Sequence, residues 1–497
     1  MNQFLNSISN LTYTENGALT HSTTGSSLVD FFFMGGALRK ANEDRIKDLF
    51  VKSLAEDPKR TLRVLFYLRD IRGGQGERRL FRICMKEFLV RNPDWFTADN
   101  IKLIPEYGRW DDVVELLKIC NKELDPIFWR IATVLKEQIE YDDNLIVDSK
   151  SISLLAKWMP SEKSHDKENK FLAKRLIGTR LFGDAKHYRQ TMTKLRNYLD
   201  IIEHKITEKN YKEIDYNTVP SRAGLKYKSA FVRNDNKRYI DYLNALERGD
   251  KDVKMNTAAL VPYDIVHDYN KEYSQNRTLE LAWSNLEDFM GDMQGLVIAD
   301  VSGSMTGTPM EVCLSLAIYI AEHNKNPEFK DKFITFSAHP ELQKLTGNTL
   351  YERIWNLKRA DWDMNTNFQA VFDLVLDRAK ACNVPQEDMP KMLIAISDME
   401  FDQANGQGYE HRNALTNFEV IEKRYADAGY KRPTLVFWNV NSHQNNCPVT
   451  INDKGVVLVS GYSPVILKQV LRGLDNDNMI KFIDDVINTP RYEVINM

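Results

Sequence analysis

The sequence predicts a multidomain protein: an all-α N-terminal part of stacked helical hairpins, then an α/β C-terminal part with a doubly wound, mostly parallel sheet. Three observations predict it. At 497 residues the chain is too long for one hydrophobic core. Up to about residue 285 apolar residues recur at three-to-four spacing, the helical period. From about residue 290 they come in short unbroken runs alternating with helical segments, as strands buried on both faces require. The expected divisions are an N-terminal extension over 1–27, a helical domain over 28–285 and a sheet domain over 290–497.

In the helical part, "NEDRIKDLFVKSLAEDPKRTLRVLFYLRDIRGG" places Ile46, Leu49, Phe50 and Leu54, then Leu62, Leu65, Phe66 and Leu68, on helical faces. Asp57-Pro58 breaks the pattern and Gly73-Gly74 closes it. "ERRLFRICMKEFLV", "DDVVELLKIC" and "YRQTMTKLRNYLDIIEHKI" read the same way. Short helices joined by Pro, Gly and Asn turns suggest an α-solenoid, although no fixed repeat length emerges.

In the second part, "GLVIAD", "KFITFSA", "KMLIAISD", "PTLVFWNV" and "VVLVSG" read as strands. "PMEVCLSLAIYIAEHN" and "NFQAVFDLVLDRAKAC" read as helices between them. In such sheets ligands bind beyond the carboxyl ends of the strands, where Asp300 and Asp398 stand.

After the first strand, "DVSGSM" sets Asp300, Ser302 and Ser304 at alternate positions, and Gly303 lets the backbone curl. "TPME" then reads as a helix start with Thr308 as N-cap, Pro309 first in the helix and Glu311 completing a capping box. Thr366 in "DMNTNF" and Asp398 in "LIAISD" add two oxygen donors. Two carboxylates and three hydroxyls suit a small hard cation, Mg²⁺ above all. A plain strand-end cap accounts for any one of these residues, but less well for the ordered set.

Charge is unevenly spread. The net charge is −3, yet residues 150–240 hold 21 Lys+Arg against 10 Asp+Glu. Trp158, Phe171, His187, Tyr188, Tyr227, Phe231 and Tyr239 are interleaved with these positives. Cations neutralise phosphates and aromatic rings stack on unpaired bases, so single-stranded nucleic acid fits the region; a solvated helical surface with core aromatics has the same composition. "RDIRGGQGERR" places Arg69, Arg72, Arg78 and Arg79 around Gly73, Gly74 and Gly76. The stretch reads equally as a phosphate-approaching loop or a helix-to-helix turn. It lacks the Gly-Lys-Ser/Thr ending of a P-loop.

Five scattered cysteines form neither a disulfide framework nor a zinc pattern, which points to a reducing compartment. The first residues lack the pattern of a signal peptide, and no apolar run approaches the ~20 residues of a membrane span. A cytoplasmic protein, monomeric and not attached to a membrane, is the expectation.

"DVSGSM", the threonine of "MNTNF" and "ISDMEFD" resemble the metal-ion-dependent adhesion site of von Willebrand factor A domains. The resemblance implies that Ser302, Ser304 and Thr366 ligate a divalent cation (Mg²⁺, or Mn²⁺ or Ca²⁺), with Asp300 and Asp398 bound directly or through water. It also leaves a position for a partner protein's carboxylate. Helical repeats before such a domain resemble the TROVE-domain proteins, the Ro ribonucleoproteins. The fit is closer still to a TROVE-like family known as domain of unknown function 2828. The stretches that carry it include "LRDIRGGQGERR", "AKWMPSE", "EIDYNTVPSRAGLKY", "AALVPYDIV", "VFWNVN" and "GVVLVSGYS". The resemblance implies a HEAT-like ring whose basic interior takes single-stranded RNA ends, an outer surface for structured noncoding RNA, and a tie to an exoribonuclease. The basic stretches do not match Ro residue by residue. RNA-contact candidates are therefore chosen by charge and position: Arg72, Arg78, Arg79, Lys174, Arg175, His187, Arg189, Arg222, Lys226 and Lys228.

No catalytic pattern competes. A phosphatase would carry a second acid where Ser302 stands, neither Ser302 nor Ser304 lies in G-x-S-x-G, and His339 and His443 sit in loops without a partner pattern. A two-metal nuclease would need clustered carboxylates. A non-enzymatic RNA-binding scaffold is the primary expectation, and a metal-dependent protein-interaction module without RNA is the alternative.

Overall fold

The computed structural model describes residues 10–120, 125–199, 201–272, 274–291, 294–336, 340–359, 368–402, 417–472 and 478–497. The N-terminal extension contains a hairpin, β1 (Leu11–Tyr13) paired antiparallel with β2 (Leu19–His21). It docks on the far end of the chain: the backbones of His21 and Cys447 exchange hydrogen bonds of 3.1 and 2.9 Å, and the Thr14 hydroxyl donates to the Phe401 carbonyl at 2.7 Å.

The first helix, Ser27–Gly35, is buried at every position but Ser27. A helix apolar on all sides has to be sandwiched, and this one is. On one side Phe31 meets Phe50 of the helix Glu43–Glu56, with ring centroids 5.6 Å apart. On the other it lies against the sheet, where the Gly36 amide donates to Ser460 Oγ at 2.9 Å. The segment that sequence periodicity makes the start of the solenoid is thus shared with the sheet domain.

The predicted break at Asp57-Pro58 holds. Asp57 ends Glu43–Glu56 and caps Pro58–Arg69, accepting the Arg60 amide at 2.9 Å, with Pro58 in the first turn. The longer helices that follow include Arg78–Arg91, Asp125–Val147, Lys167–Gly178, Ala185–Tyr198, Ser221–Asn234, Asn236–Arg248 and Pro262–Glu272.

All five predicted strands are present: β3 (Gly295–Ala299), β4 (Lys332–Thr335), β6 (Met392–Ser397), β7 (Thr434–Asn439) and β8 (Val456–Ser460). The unpredicted β5 (Leu342–Lys344) is a short antiparallel edge strand whose "LQK" carries no buried run. The sheet order is β5-β4-β3-β6-β7-β8, parallel throughout except β5. From β3 the chain builds outward one way and from β6 the other, so the topological switch point lies between their carboxyl ends.

The sheet domain bridges the two ends of the helical part. Its helix Thr308–His323 packs on Pro262–Glu272, while its C-terminal segment returns to the first helices. There Arg60 pairs with Asp484 at 2.7 Å, Arg63 donates to the carbonyls of Glu493 and Ile495, and Trp95 Nε1 donates to the Asn496 carbonyl at 2.7 Å. One apolar core runs through both parts from Ala18 to Ile495. All five cysteines are free, and among the described residues no helix is long and apolar enough to cross a membrane.

Candidate functional site

Two sites stand out. The first is at the switch point, where β3 and β6 deliver Asp300 and Asp398, 0% and 2% exposed. Asp300 Oδ1 accepts the Ser302 amide at 2.9 Å, and Oδ2 accepts the Ser397 hydroxyl at 2.5 Å. The Ser302 and Ser304 hydroxyls lie 3.0 Å apart, so the turn gathers the predicted oxygens on one side. Asp398 Oδ1 accepts the Glu400 amide at 3.3 Å, while its buried Oδ2 has no hydrogen-bond partner among the described residues. Thr366 lies outside the described residues, as does His339.

Burial first, and then the Asp398 charge, push the Asp300 carboxyl well above the usual aspartate range, against the hydrogen bonds from Ser397 and Ser302. Burial likewise raises Asp398, against the Ser304 hydroxyl and the Glu400 amide and with the Glu400 charge adding to it. Two buried carboxylates whose charged forms burial disfavours, one with an orphan oxygen, form a site short of positive charge. Met399 follows in the left-handed region (φ 67°), a backbone conformation that costs a non-glycine residue about 1–3 kcal/mol and persists where surrounding structure imposes it. No group of three His, Cys, Asp or Glu side chains forms a cluster among the described residues, so any cation here would depend on hydroxyl ligands.

The N-terminal hairpin and the loop after β7 both reach this site. Asn446 Nδ2 donates to both Glu400 oxygens at 2.8 Å, and the Glu15 amide donates to one of them at 2.7 Å. His443 Nε2 stands 3.7 Å from Asp398 Oδ2. The loop carrying His443 is gripped by Arg45, which donates to the carbonyls of Ser442, His443 and Gln444. Glu400, left without a role by the sequence, is thus a buried anchor for the N-terminal hairpin.

The capping box expected at Thr308–Glu311 does not form. Gly307 (φ 90°) takes the N-cap position, and the Glu311 carboxylate instead reaches His267 Nδ1 at 2.7 Å and Asn270 at 2.9 Å on the neighbouring helix. Tertiary partners outcompete the local cap.

The second site is a cleft of about 490 Å³ between the helical part and the loop after β8. Of the ten RNA-contact candidates, Arg72, Arg78, Arg79 and Arg222 converge there, joined by Arg39, Arg69 and Arg109. Arg39, Arg69 and Arg222 are matched by Glu77 (2.6 Å), Asp112 (2.7 Å) and Asp264 (3.1 Å). Among the described residues the guanidiniums of Arg72 and Arg79 donate only to the carbonyls of Glu106 and Ala41, both at 2.8 Å. Arg109 has no ion pair among the described residues; burial, and then Arg69, Arg222 and Arg78, hold its guanidinium below the usual arginine range against the pull of Asp111. Seven arginines against Glu77, Asp264 and Glu287 make the cleft lining net positive. Sequence reading missed Arg109 because "YGRWDD" lies outside both the basic window and the glycine loop.

The glycine loop itself is a structural turn. The amides of Gln75, Gly76 and Glu77 are spent on the carbonyls of Tyr67, Asp70 and Leu68. A Cβ on Gly74 would sit 1.9 Å from the Tyr67 carbonyl oxygen, so glycine is required for packing and not for phosphate approach. The arginines around the turn face the cleft, but these amides do not cradle an anion.

The remaining candidates scatter. Lys228 is buried and committed to Asp268 at 2.8 Å and Glu272 at 2.9 Å. Arg175 covers the Phe128 ring at 3.7 Å and donates to the Cys120 carbonyl. Arg189 pairs with Glu162 at 2.9 Å, and Lys174, His187 and Lys226 are exposed away from the cleft lining. Tyr188, Phe231 and Tyr239 are core residues, whereas Phe171 is 68% exposed. A groove of about 640 Å³ continues from the cleft, sharing Ile71, Arg72 and Arg109 with it and adding Trp110, Lys157, Trp158 and Lys205.

Fold and sites together define a protein with an α-helical region bridged by an open, mostly parallel sheet domain, with an acidic switch-point site and a basic cleft at the junction. The chain belongs to the family described as Domain of unknown function (DUF2828), whose model matches residues 14–125 and 111–295. A second model, Domain of unknown function (DUF7788), matches residues 294–489. The chain is 31% identical to Uncharacterized protein L728 of Acanthamoeba polyphaga mimivirus, over 93% of this chain and 85% of that protein. Among solved structures, that of the Deinococcus radiodurans RO (RSR) protein aligns over 91% of this chain and 100% of its own, at 13% identity and a TM-score of 0.47.

Proposed function

We propose that this protein is a non-enzymatic scaffold that binds single-stranded or structured noncoding RNA through its helical part. The observation that carries this reading is the cleft in which arginines from separate segments gather, three of them (Arg72, Arg79 and Arg109) without a carboxylate partner among the described residues. Phosphates are the natural counter-charge for such guanidiniums, and the indoles of Trp110 and Trp158 in the adjoining groove offer faces for unpaired bases. The sequence resemblance to TROVE-domain proteins points the same way. Purification at low salt tests it: RNase-sensitive nucleic acid should accompany the protein and be shed steeply as salt rises. Protein that stays free of RNA, and ignores added single-stranded oligonucleotides, would exclude the reading.

In this reading the sheet domain is of the von Willebrand A type. Asp300, Ser302, Ser304 and Asp398, with Thr366, hold a divalent cation, Mg²⁺ foremost and Mn²⁺ or Ca²⁺ as substitutes. The orphan Asp398 oxygen and the burial of both carboxylates, with the Asp398 charge acting on Asp300, support a cation there. The cation supplies an electron-poor position that a partner's carboxylate can occupy, and an exoribonuclease is one candidate partner. Five free cysteines suit a reducing, cytoplasmic compartment, where this reading places the protein as a monomer.

The same acid pair favours a second reading, a metal-dependent protein-interaction module that needs no RNA. A partner lost in EDTA or on Asp300→Ala, and retained after RNase treatment, would select it.

A further inference from the structure

The arginine end of the cleft concentrates more positive charge than one phosphodiester can answer. Among the described residues Arg72, Arg79 and Arg109 form no ion pair, with Asp111 acting on Arg109 only through its field, and the Arg222–Asp264 pair is solvent-exposed on the arginine side. A single strand carries one charge per nucleotide and spreads its phosphates along an extended backbone. Several guanidiniums around one cavity of about 490 Å³ instead match several phosphates on adjacent phosphorus atoms. Guanidinium groups suit this because each presents two parallel N–H donors to a pair of phosphate oxygens.

The space beyond the arginines agrees. The groove that shares Ile71, Arg72 and Arg109 with the cleft leads away past Trp110 and Trp158, whose Nε1 is buried without a hydrogen-bond partner among the described residues. An anionic head at the arginines would leave a following base beside the indoles that line the groove.

We propose that this cleft binds a compact polyphosphate, the triphosphate at the 5′ end of an RNA strand, with the first nucleotides running into the adjoining groove. The proposal rests on the RNA reading above and deepens it: the cleft reads the chemistry of an end. Free inorganic polyphosphate shares the chemistry and is the other source of such a ligand.

The test uses the full chain and one short, 3′-labelled RNA prepared with a 5′ hydroxyl, a 5′ monophosphate or a 5′ triphosphate. Binding is read by fluorescence anisotropy at fixed salt, with inorganic tripolyphosphate as competitor. The triphosphate end should bind about tenfold or more tightly than the hydroxyl end, since one extra charge-assisted contact is worth about that factor. Arg72→Ala and Arg79→Ala, both exposed positions, should each reduce the preference, and Arg109→Gln should do so most. Equal affinity for all three ends would overturn the proposal while leaving RNA binding intact. Tripolyphosphate binding that the arginine variants abolish, with no RNA bound, would keep the polyphosphate site, assign it the free ion and overturn the RNA reading. Binding of neither would overturn both.

Discussion

The carboxylate of Asp70, fully buried beside the glycine turn, is held by the guanidinium of Arg491, with Nη2 donating to Oδ1 at 2.7 Å across 421 residues of sequence. Tyr492 adds its hydroxyl to the same carboxylate at 2.9 Å. This clamp fastens the last turn of the chain to the first helices. Asp70→Asn should lower stability by about 2 kcal/mol, below the 3–5 kcal/mol typical of a fully buried pair because Arg491 is 39% exposed. Chemical denaturation at neutral pH measures it.

The same clamp has a pH signature. Burial alone would raise the Asp70 carboxyl, but Arg491 and the amides of Arg72 and Gly73 outweigh it and hold it below the usual range. A carboxylate depressed in the folded state contributes stability fully present above its unfolded value, about 3.9, and lost as pH falls through the lower folded value. The stability gap between wild type and Asp70→Asn should therefore be constant from pH 7 to about 5 and shrink in more acidic solution. A gap that widens with acid would contradict the assignment.

Long periodic segments are legible in the sequence, because local burial dictates them: the strand runs ending at Asp300 and Asp398 fall where expected. What escaped depends on partners distant in sequence. Nothing in "SLVDFFFMGG" reveals that the helix lies on β8, and nothing in "YGRWDD" that Arg109 joins arginines from residues 39, 72 and 222. Glu311 reads as a capping residue until His267 is seen beside it. Lys228 belongs to a basic stretch in the sequence and in space is buried against a half-buried acidic pair. Composition reports charge but not which way a side chain turns.

The acid pair predicts opposite responses with and without metal. In EDTA, Asp398→Asn removes a buried charge that repels Asp300, so its melting temperature should equal or exceed that of wild type. Added Mg²⁺ should stabilise wild type by about 2.7 kcal/mol at a hundredfold excess over its dissociation constant, and leave the variant unmoved. A wild type whose melting point ignores Mg²⁺, Mn²⁺ and Ca²⁺ alike would remove the cation from the site.

Two basic residues from one helix, Ser221–Asn234, should part company on RNA. Arg222 lines the cleft, so Arg222→Ala should weaken binding and reduce the slope of log affinity against log salt by about 0.7, the loss of one single-strand phosphate contact. Lys228→Ala should leave that slope alone. It strands Asp268 and Glu272 without their shared cation and should cost about 3 kcal/mol of stability. Salt titrations and urea midpoints on the same two proteins separate the effects.

Two glycines test how closely the halves are fitted together. A Cβ on Gly36 would lie 2.6 Å from Gly461 Cα, backbone against backbone, where the first helix meets the loop after β8. Neither chain can yield without parting the helix from the sheet, so Gly36→Ala should cost about 1–3 kcal/mol, as overpacking does. Gly178, at the end of the helix Lys167–Gly178, has open space where its Cβ would go. Gly178→Ala should therefore stabilise slightly, by about 0.4–1 kcal/mol, through the reduced freedom of the unfolded chain. Urea midpoints that move in opposite directions for the two variants confirm a tight junction. A neutral Gly36→Ala would mean that the helix and the sheet sit farther apart than described.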